Sequence, residues 1–427
     1  MQTFASLESE VRTYSRAFPT VFVRAVGSEL FDEDGRRYLD FFSGAGALNY
    51  GHNNPRFKQR IKDYLDADGV THSLDMATAA KREFLQRFQR TILAPRGLRH
   101  KVQFAGPTGT NAVEAAIKLA RKATGRTNVV FFTNAFHGMT LGSLAVTGNT
   151  AKRAGAGVPL AHAMPVPFEG YLGGREDSLR YLEAFLEDSS SGLDRPAAVI
   201  LETIQAEGGV NVASVEWLRR LAGLLPRHGI LLIVDEIQTG CGRTGTFFSF
   251  EHAGIQPDLV TLSKSISGFG LPMALVLIRP ELDVWAPGEH NGTFRGNNLA
   301  FITGAEALSY WEDDAFSRDV LRKSDLARRR LEEIAAAYPE AEASVRGRGL
   351  ILGLDLRVPD LGSEVARIAF HRGLLIETVG PRDNVLKLLP PLVISDAELL
   401  EGIGIVEDSL VEALETRVLR EPVAVGA

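Results

Sequence analysis

LLIVDEIQTGCGRTGTFFSFEHAGIQPDLVTLSK, residues 231–264, opens on an apolar, β-branched run and ends on a lysine. The run 230–234 reads as a buried parallel strand that stops abruptly at Asp235-Glu236-Ile237-Gln238. After Pro257-Asp258 a second run, 259–262, stops at Ser263-Lys264. In open α/β sheets ligands bind outside the carboxyl ends of the strands. Two neighbouring strand ends therefore offer a carboxylate, Asp235, and an amine, Lys264, to one crevice. On these two residues alone, an ion pair at a sheet edge and a pair that grips a ligand read equally well. The rest of the chain has to decide.

At 427 residues the chain exceeds a single core and calls for about two domains. A hydrophobic content of 45% with 23% charged residues is that of an ordinary globular protein. The net charge of −6 and the scattered basic residues favour neither nucleic acid nor an anionic membrane as partner. The lone cysteine, Cys241, excludes an intramolecular disulfide and fits a reducing compartment. Between Gly240 and Gly242 it reads as a small residue filling a tight turn. The start, MQTFASLESEVRTYSR, has early acids and no apolar core, so no secretory signal is expected, and no run approaches a membrane span. These features predict a cytoplasmic protein.

The sequence shows no repeat and no low-complexity linker. Residues 1–54 read as a helical arm and short strands, with a hairpin turning at Asp32-Glu33-Asp34-Gly35 and a glycine-rich loop, 43–52. Between 55 and 305, strands at 101–104, 129–132, 197–201, 230–234, 259–262 and 274–278 alternate with helices such as 111–124, 178–187 and 215–228. This alternation predicts an α/β domain built on a mostly parallel sheet covered on both faces. From 306 to 427 the pattern changes to a smaller α+β domain, completed by the N-terminal arm. Its elements are a long helix at 316–337, strands at 350–356, 374–377 and 385–389, a helix at 362–371 and a last helix at 395–413.

The strand ends carry the chemistry. The first runs through Gly106-Pro107-Thr108-Gly109-Thr110 straight into a helix, and a glycine turn feeding a helix N-terminus is an anion site. Thr110 reads equally as a simple helix cap, and a cap and a phosphate ligand can coexist. The turn is neither GxxxxGK[ST] nor GxGxxG, so a nucleotide-binding loop is not supported. The second ends in Phe136-His137, an aromatic able to stack on a planar ring, or simply packed in its loop. The third ends in Glu202, with Gln205 and Glu207 beyond it. These acids are solvated loop charges by default, and contacts to an amine-bearing ligand in a site. The fourth offers Asp235 and Gln238, spaced to meet two neighbouring polar atoms of one ring, and Lys264 follows on the fifth. Together they point to pyridoxal phosphate: a phosphate, a pyridine nitrogen kept protonated by a carboxylate, and an aldehyde that a lysine can capture.

The motifs Glu202-Thr203-Ile204-Gln205-Ala206-Glu207-Gly208-Gly209, Val234-Asp235-Glu236-Ile237-Gln238-Thr239-Gly240 and Thr261-Leu262-Ser263-Lys264 resemble, end to end, the class III (ω-amino acid) family of fold-type I aminotransferases. That resemblance implies Lys264 as Schiff-base lysine and acid–base, Asp235 on the ring nitrogen and Gln238 on the ring oxygen. It further implies Gly109 and Thr110 on the phosphate and Phe136 stacked on the ring, with His137 and Glu202 also in the cofactor site. Thr293 would reach the phosphate of a neighbouring subunit, which implies a homodimer with shared active sites. No metal is expected. The stretches 12–19, 44–52, 69–76 and 106–116 are similar to a subgroup serving ectoine biosynthesis, which carries an amino group from glutamate to aspartate 4-semialdehyde. Where many members place an arginine for the substrate carboxylate, this chain has Lys387, a point charge rather than a bidentate fork. The resemblance suggests a switch between Glu207 and Lys387. Alternatives are an enzyme acting on ornithine, 4-aminobutyrate or another ω-amine, diaminobutyrate supply for a siderophore, or a non-catalytic binding protein of the same fold.

Overall fold

The computed structural model describes residues 1–173 and 177–420, so the end of the expected C-terminal domain, 421–427, lies outside the described residues. Among the described residues, seventeen strands form four sheets. The N-terminal strands are β1 (Phe22–Val26), β2 (Glu29–Asp32) and β3 (Arg37–Asp40). Next come β4 (Lys101–Gly106), β5 (Val129–Phe132), β6 (Ala163–Val166), β7 (Ala198–Leu201), β8 (Ile204–Gln205) and β9 (Asn211–Val212). Then follow β10 (Leu231–Asp235), β11 (Leu259–Leu262) and β12 (Ala274–Ile278). The C-terminal strands are β13 (Ser344–Arg348), β14 (Ile351–Asp355), β15 (Leu374–Leu375), β16 (Glu377–Val379) and β17 (Val385–Leu388).

The large sheet has the order β4-β12-β11-β10-β7-β5-β6. Alternate residues of its central strands enter two different cores. Val199, Leu201, Leu232, Val234, Val260 and Leu262 face one, while Ala198, Ile200, Ile233 and Leu259 face the other. Apolar side chains on both faces explain why these segments read as unbroken hydrophobic runs. The helix Gly109–Thr124 covers the second face with Ala112, Val113, Ala116, Ile117 and Ala120. Strands β6, β5, β7, β10 and β11 run parallel to one another. Strand β12 runs against both β11 and β4. The phosphate-type turn after β4 is therefore two strands away from Lys264, not next in line.

The N-terminal arm joins the C-terminal elements. Strand β3 pairs in parallel with β15, and Leu39 and Phe41 enter a core built otherwise from residues 320–413. This pairing corrects the expected strand at 374–377. Residues Leu374–Leu375 belong to the N-terminal sheet, whereas Glu377–Val379 pair with β17 in a second sheet, β13-β14-β17-β16. The last helix, Asp396–Arg420, runs beyond the expected end at 413. Arg243, fully buried, fastens these parts to the large sheet by donating to Asn49 Oδ1, Leu350 O and Pro390 O. Burial opposes its charge and lowers its pKa to about 9. Cys241, buried at φ 54, fills a tight turn as expected. Among the described residues, no helix is long and apolar enough to cross a membrane.

Candidate active site

A cavity of about 310 Å³ opens at the carboxyl ends of β10 and β11. Gly109, Thr110, Phe136, His137, Glu202, Glu207, Asp235, Gln238 and Lys264 all line it. Lys387 touches it through Glu207 and Gln238. Of the site residues expected from the sequence, Thr293 alone stands apart. It is exposed, in the short turn Thr293–Arg295, where its carbonyl accepts from His72 Nε2 at 2.8 Å.

Asp235 is 4% exposed and makes no ion pair with Lys264 among the described residues. Three donors hold its carboxylate instead. His137 Nδ1 lies 2.7 Å from Oδ2, while Ile237 N–H and Thr261 Oγ1 donate to Oδ1 at 3.0 and 3.1 Å. A carboxylate only accepts, so His137 carries its proton on Nδ1. Its Nε2 is buried and lacks a partner among the described residues. Thr261 was not assigned a role from sequence. The signal was there, a hydroxyl on the same face as Asp235 in an otherwise apolar strand.

Lys264 opens the turn Lys264–Ser267 at φ 54, a left-handed conformation that costs a side-chain-bearing residue energy. Burial lowers its pKa, with the charge of Lys387 adding to that effect and Glu207 opposing it. A lowered pKa makes the free amine, the nucleophilic form, more accessible.

Glu202 lines the cavity with its carboxylate already engaged by backbone amides. Its Oε1 accepts from Phe136 N–H at 2.9 Å and its Oε2 from Ala206 N–H at 3.2 Å, tying the Phe136 loop to the end of β7. Burial raises its pKa to about 7, against the pull of His137. Thr108, not Thr110, is the helix N-cap, and its N–H donates to Asn111 Oδ1 at 3.2 Å. Thr108, Gly109 and Thr110 all line the cavity, at a helix end whose first amides lack intrahelical partners. A Cβ on Gly109 would lie 2.9 Å from Ile237 Cδ1, so any larger residue here would have to displace the Ile237 side chain.

Lys387 emerges from the middle of β17 with its side chain sealed from solvent. Its Nζ lies 2.6 Å from Glu207 Oε1, 2.9 Å from Glu377 Oε1 and 3.0 Å from Gln238 Oε1. Gln238 Nε2 in turn donates to Glu207 Oε1 at 3.2 Å and to Ala45 O, in the glycine-rich loop, at 3.0 Å. The sequence reading missed Glu377. It faces Lys387 directly across the β16–β17 pair, a register no local pattern reveals.

The family profile for class-III aminotransferases matches residues 11–410. A curated diaminobutyrate–2-oxoglutarate transaminase of Halalkalibacterium halodurans is 57% identical over 419 residues, covering 98% of each chain. Another of that name, from Nocardia farcinica, is 60% identical over 408 residues, 95% of this chain and 93% of that one. Among solved structures, the ornithine aminotransferase of Toxoplasma gondii ME49 superposes with a TM-score of 0.84 at 26% identity, covering 97% and 95% of the two chains. The PLP-bound amine transaminase of an uncultivated Pseudomonas species gives 0.85 at 26% identity, covering 95% and 98%.

Proposed function

The chain belongs to the class-III aminotransferases, and from that premise we propose that it moves an amino group from glutamate to L-aspartate 4-semialdehyde, giving 2-oxoglutarate and L-2,4-diaminobutyrate, the entry to ectoine biosynthesis. It is a PLP-dependent aminotransferase. The observation that carries the substrate pair is the 57% identity over 419 residues to a relative of that activity.

The residues fit the cofactor. A cavity of about 310 Å³ sits at the lower end of ligand-site volumes, about 300–1,000 Å³. A glycine-containing helix start for a phosphate, an oriented carboxylate and a buried amine all border it. Bound there, pyridoxal phosphate supplies the aldehyde that takes the amino group and a ring that withdraws electrons from the reacting carbon. Gly109 and Thr110 would hold the phosphate through their backbone amides, and Phe136 would pack against the ring. Asp235, aligned by His137 and Thr261, would keep the ring nitrogen protonated, and Gln238 would serve the ring oxygen. Lys264 would be the amine that takes the aldehyde and the group that moves the proton, through Nζ. Glu207 closes on Lys387 when the substrate has no carboxylate on the reacting carbon, and gives way when glutamate brings one.

Thr293 serves the phosphate of a second copy, making the working unit a homodimer. The buried, unpaired Cys241 supports a cytoplasmic setting. A second reading, ornithine as amino donor, is supported by the ornithine aminotransferase at 26% identity. Purified protein with pyridoxal phosphate decides between them. Glutamate alone should bleach the bound cofactor's absorption and release 2-oxoglutarate. Diaminobutyrate should then be used in preference to ornithine and 4-aminobutyrate, and a preference for either of those replaces this reading.

A further inference from the structure

We propose that Lys152 anchors the carboxylate far from the reacting nitrogen and thereby selects amino acids over simple amines, an assignment that rests on the substrate pair above. In 2,4-diaminobutyrate the carboxyl carbon lies four bonds from the transferred side-chain nitrogen. In glutamate the side-chain carboxyl carbon also lies four bonds from the transferred nitrogen. One cation at a fixed distance from Lys264 therefore serves both half-reactions.

Among the described residues, the structure offers that cation at Lys152. Three cavities meet at Glu207: the inner one of about 310 Å³ that holds Lys264, and two outer ones of about 590 and 500 Å³. Phe136 is shared by the inner cavity and the larger outer one, and Lys152 lines both outer ones. The Lys152 ammonium stands 4.3 Å from the centroid of the Phe136 ring, which itself lines the inner cavity. Its charge reaches the junction, because it joins Lys387 and Lys264 in keeping Glu207 ionised against the cost of burial.

The other cations nearby are engaged elsewhere. Lys387 donates to Glu207 and Gln238 and pairs with Glu377 at 2.9 Å, and Lys264 is committed to the chemistry. Arg16, in the smaller outer cavity, is tied to Glu10, and Arg367 is exposed and lines that cavity alone. Lys152 has no carboxylate partner among the described residues, so its ammonium is available to a substrate. Its backbone is also fixed. Asn149 caps the helix Thr150–Ala154 by accepting from Lys152 N–H at 3.0 Å. Arg153 pins that helix by donating to the carbonyls of Leu144, Ala145 and Thr147 at 3.1, 2.9 and 2.9 Å. A cation on a pinned helix at a cavity junction is a positioned one.

The test uses the holoenzyme and its Lys152→Gln and Lys152→Arg variants with two amines of equal chain length, 2,4-diaminobutyrate and 1,3-diaminopropane, which lacks the carboxylate. A charge-assisted contact predicts that Lys152→Gln lowers the ratio of kcat/KM for diaminobutyrate over diaminopropane at least about tenfold, mainly through KM. Lys152→Arg should recover most of the ratio. Glutarate, an unreactive dicarboxylate titrated against the bound cofactor's absorbance, should bind the Gln variant about tenfold more weakly. An unchanged ratio, an equal fall on both amines, or unchanged glutarate binding each overturns the assignment. If the wild-type enzyme prefers ornithine, the substrate pair fails, and the glutarate titration still decides Lys152.

Discussion

Lys387 Nζ lies 2.6 Å from Glu207 Oε1, and Glu377 Oε1 lies 2.9 Å from the same nitrogen. Burial opposes the lysine's charge, yet the two carboxylates outweigh it and raise its pKa. Burial also works against Glu207, and Lys387 with Lys264 overcomes it, holding this carboxyl well below the usual range. Glu377 is left on the losing side, its pKa raised by burial and by Glu207. The cluster thus carries two carboxylates around one ammonium, and the ammonium is the member it cannot spare.

Removing that ammonium should therefore be the costly change. Lys387→Met leaves two buried carboxylates facing each other and should lose about 3–5 kcal/mol at pH 7 by chemical denaturation. Glu377→Gln, which relieves the excess charge, should cost about 1 kcal/mol or less. The sign with pH follows from the shifts. Glu207 has a depressed folded pKa, so its contribution is present above about pH 4.3 and lost as pH falls through the folded value. The Lys387→Met deficit should narrow below about pH 4 for that reason. Equal losses in the two variants would refute the asymmetry.

Glu202 makes the opposite pH prediction. Its folded pKa of about 7 lies above the unfolded value of about 4.3, so the folded state binds the extra proton between them. Its contribution to stability is full below about pH 4.3 and declines as pH rises through 7. Relative to Glu202→Gln, the cofactor-free wild type should lose about 2–3 kcal/mol between pH 5 and pH 8. A difference that stays flat over this window would show that Glu202 does not titrate there.

Much of this was legible in the sequence, and the rest was hidden for physical reasons. Strands such as Ala198–Leu201 and Leu259–Leu262 are buried on both faces, so composition alone reveals them. The antiparallel sense of Ala274–Ile278 is invisible, because an apolar run reads the same in either direction. Residues 374–377 read as one strand, and only the distant partners Leu39 and Asp40 on one side and the β17 pairing on the other divide them between two sheets. The strand-end residues Asp235, Gln238 and Lys264 stood out as polar groups after apolar runs. Glu377 and Lys152 did not, since one depends on strand register with Lys387 and the other on a short helix folding back over Phe136.

Asp235 combines a positioned charge with a positioned orientation, and the two are separable. Asp235→Asn keeps the shape but replaces an acceptor by an amide that can no longer stabilise a charged ring nitrogen. Turnover should fall on the order of 10²–10³-fold, the size typical of losing one preorganised electrostatic contact. Thr261→Val removes only the hydroxyl at 3.1 Å and should cost about tenfold or less while cofactor remains bound. Steady-state kinetics with an absorbance check for bound cofactor distinguishes them. Equal losses would mean that orientation, not charge, is what Asp235 contributes.

Lys264 presents a conformational prediction independent of catalysis. Its φ of 54 suits glycine, so Lys264→Gly should be more stable than Lys264→Ala by about 1 kcal/mol despite glycine's greater unfolded-state entropy. Both variants also remove an ammonium whose folded pKa burial has lowered. A depressed lysine pKa means the wild type gains stability as pH rises toward the unfolded value of about 10.4. Compared without cofactor, either variant should therefore outlast the wild type at pH 7, by a margin that shrinks as pH approaches 10. Thermal unfolding of the three proteins at pH 7 and pH 9.5 reads both effects. If alanine proves more stable than glycine, the left-handed backbone at position 264 relaxes when the lysine is lost, and the strain belongs to the side chain's placement rather than to the turn.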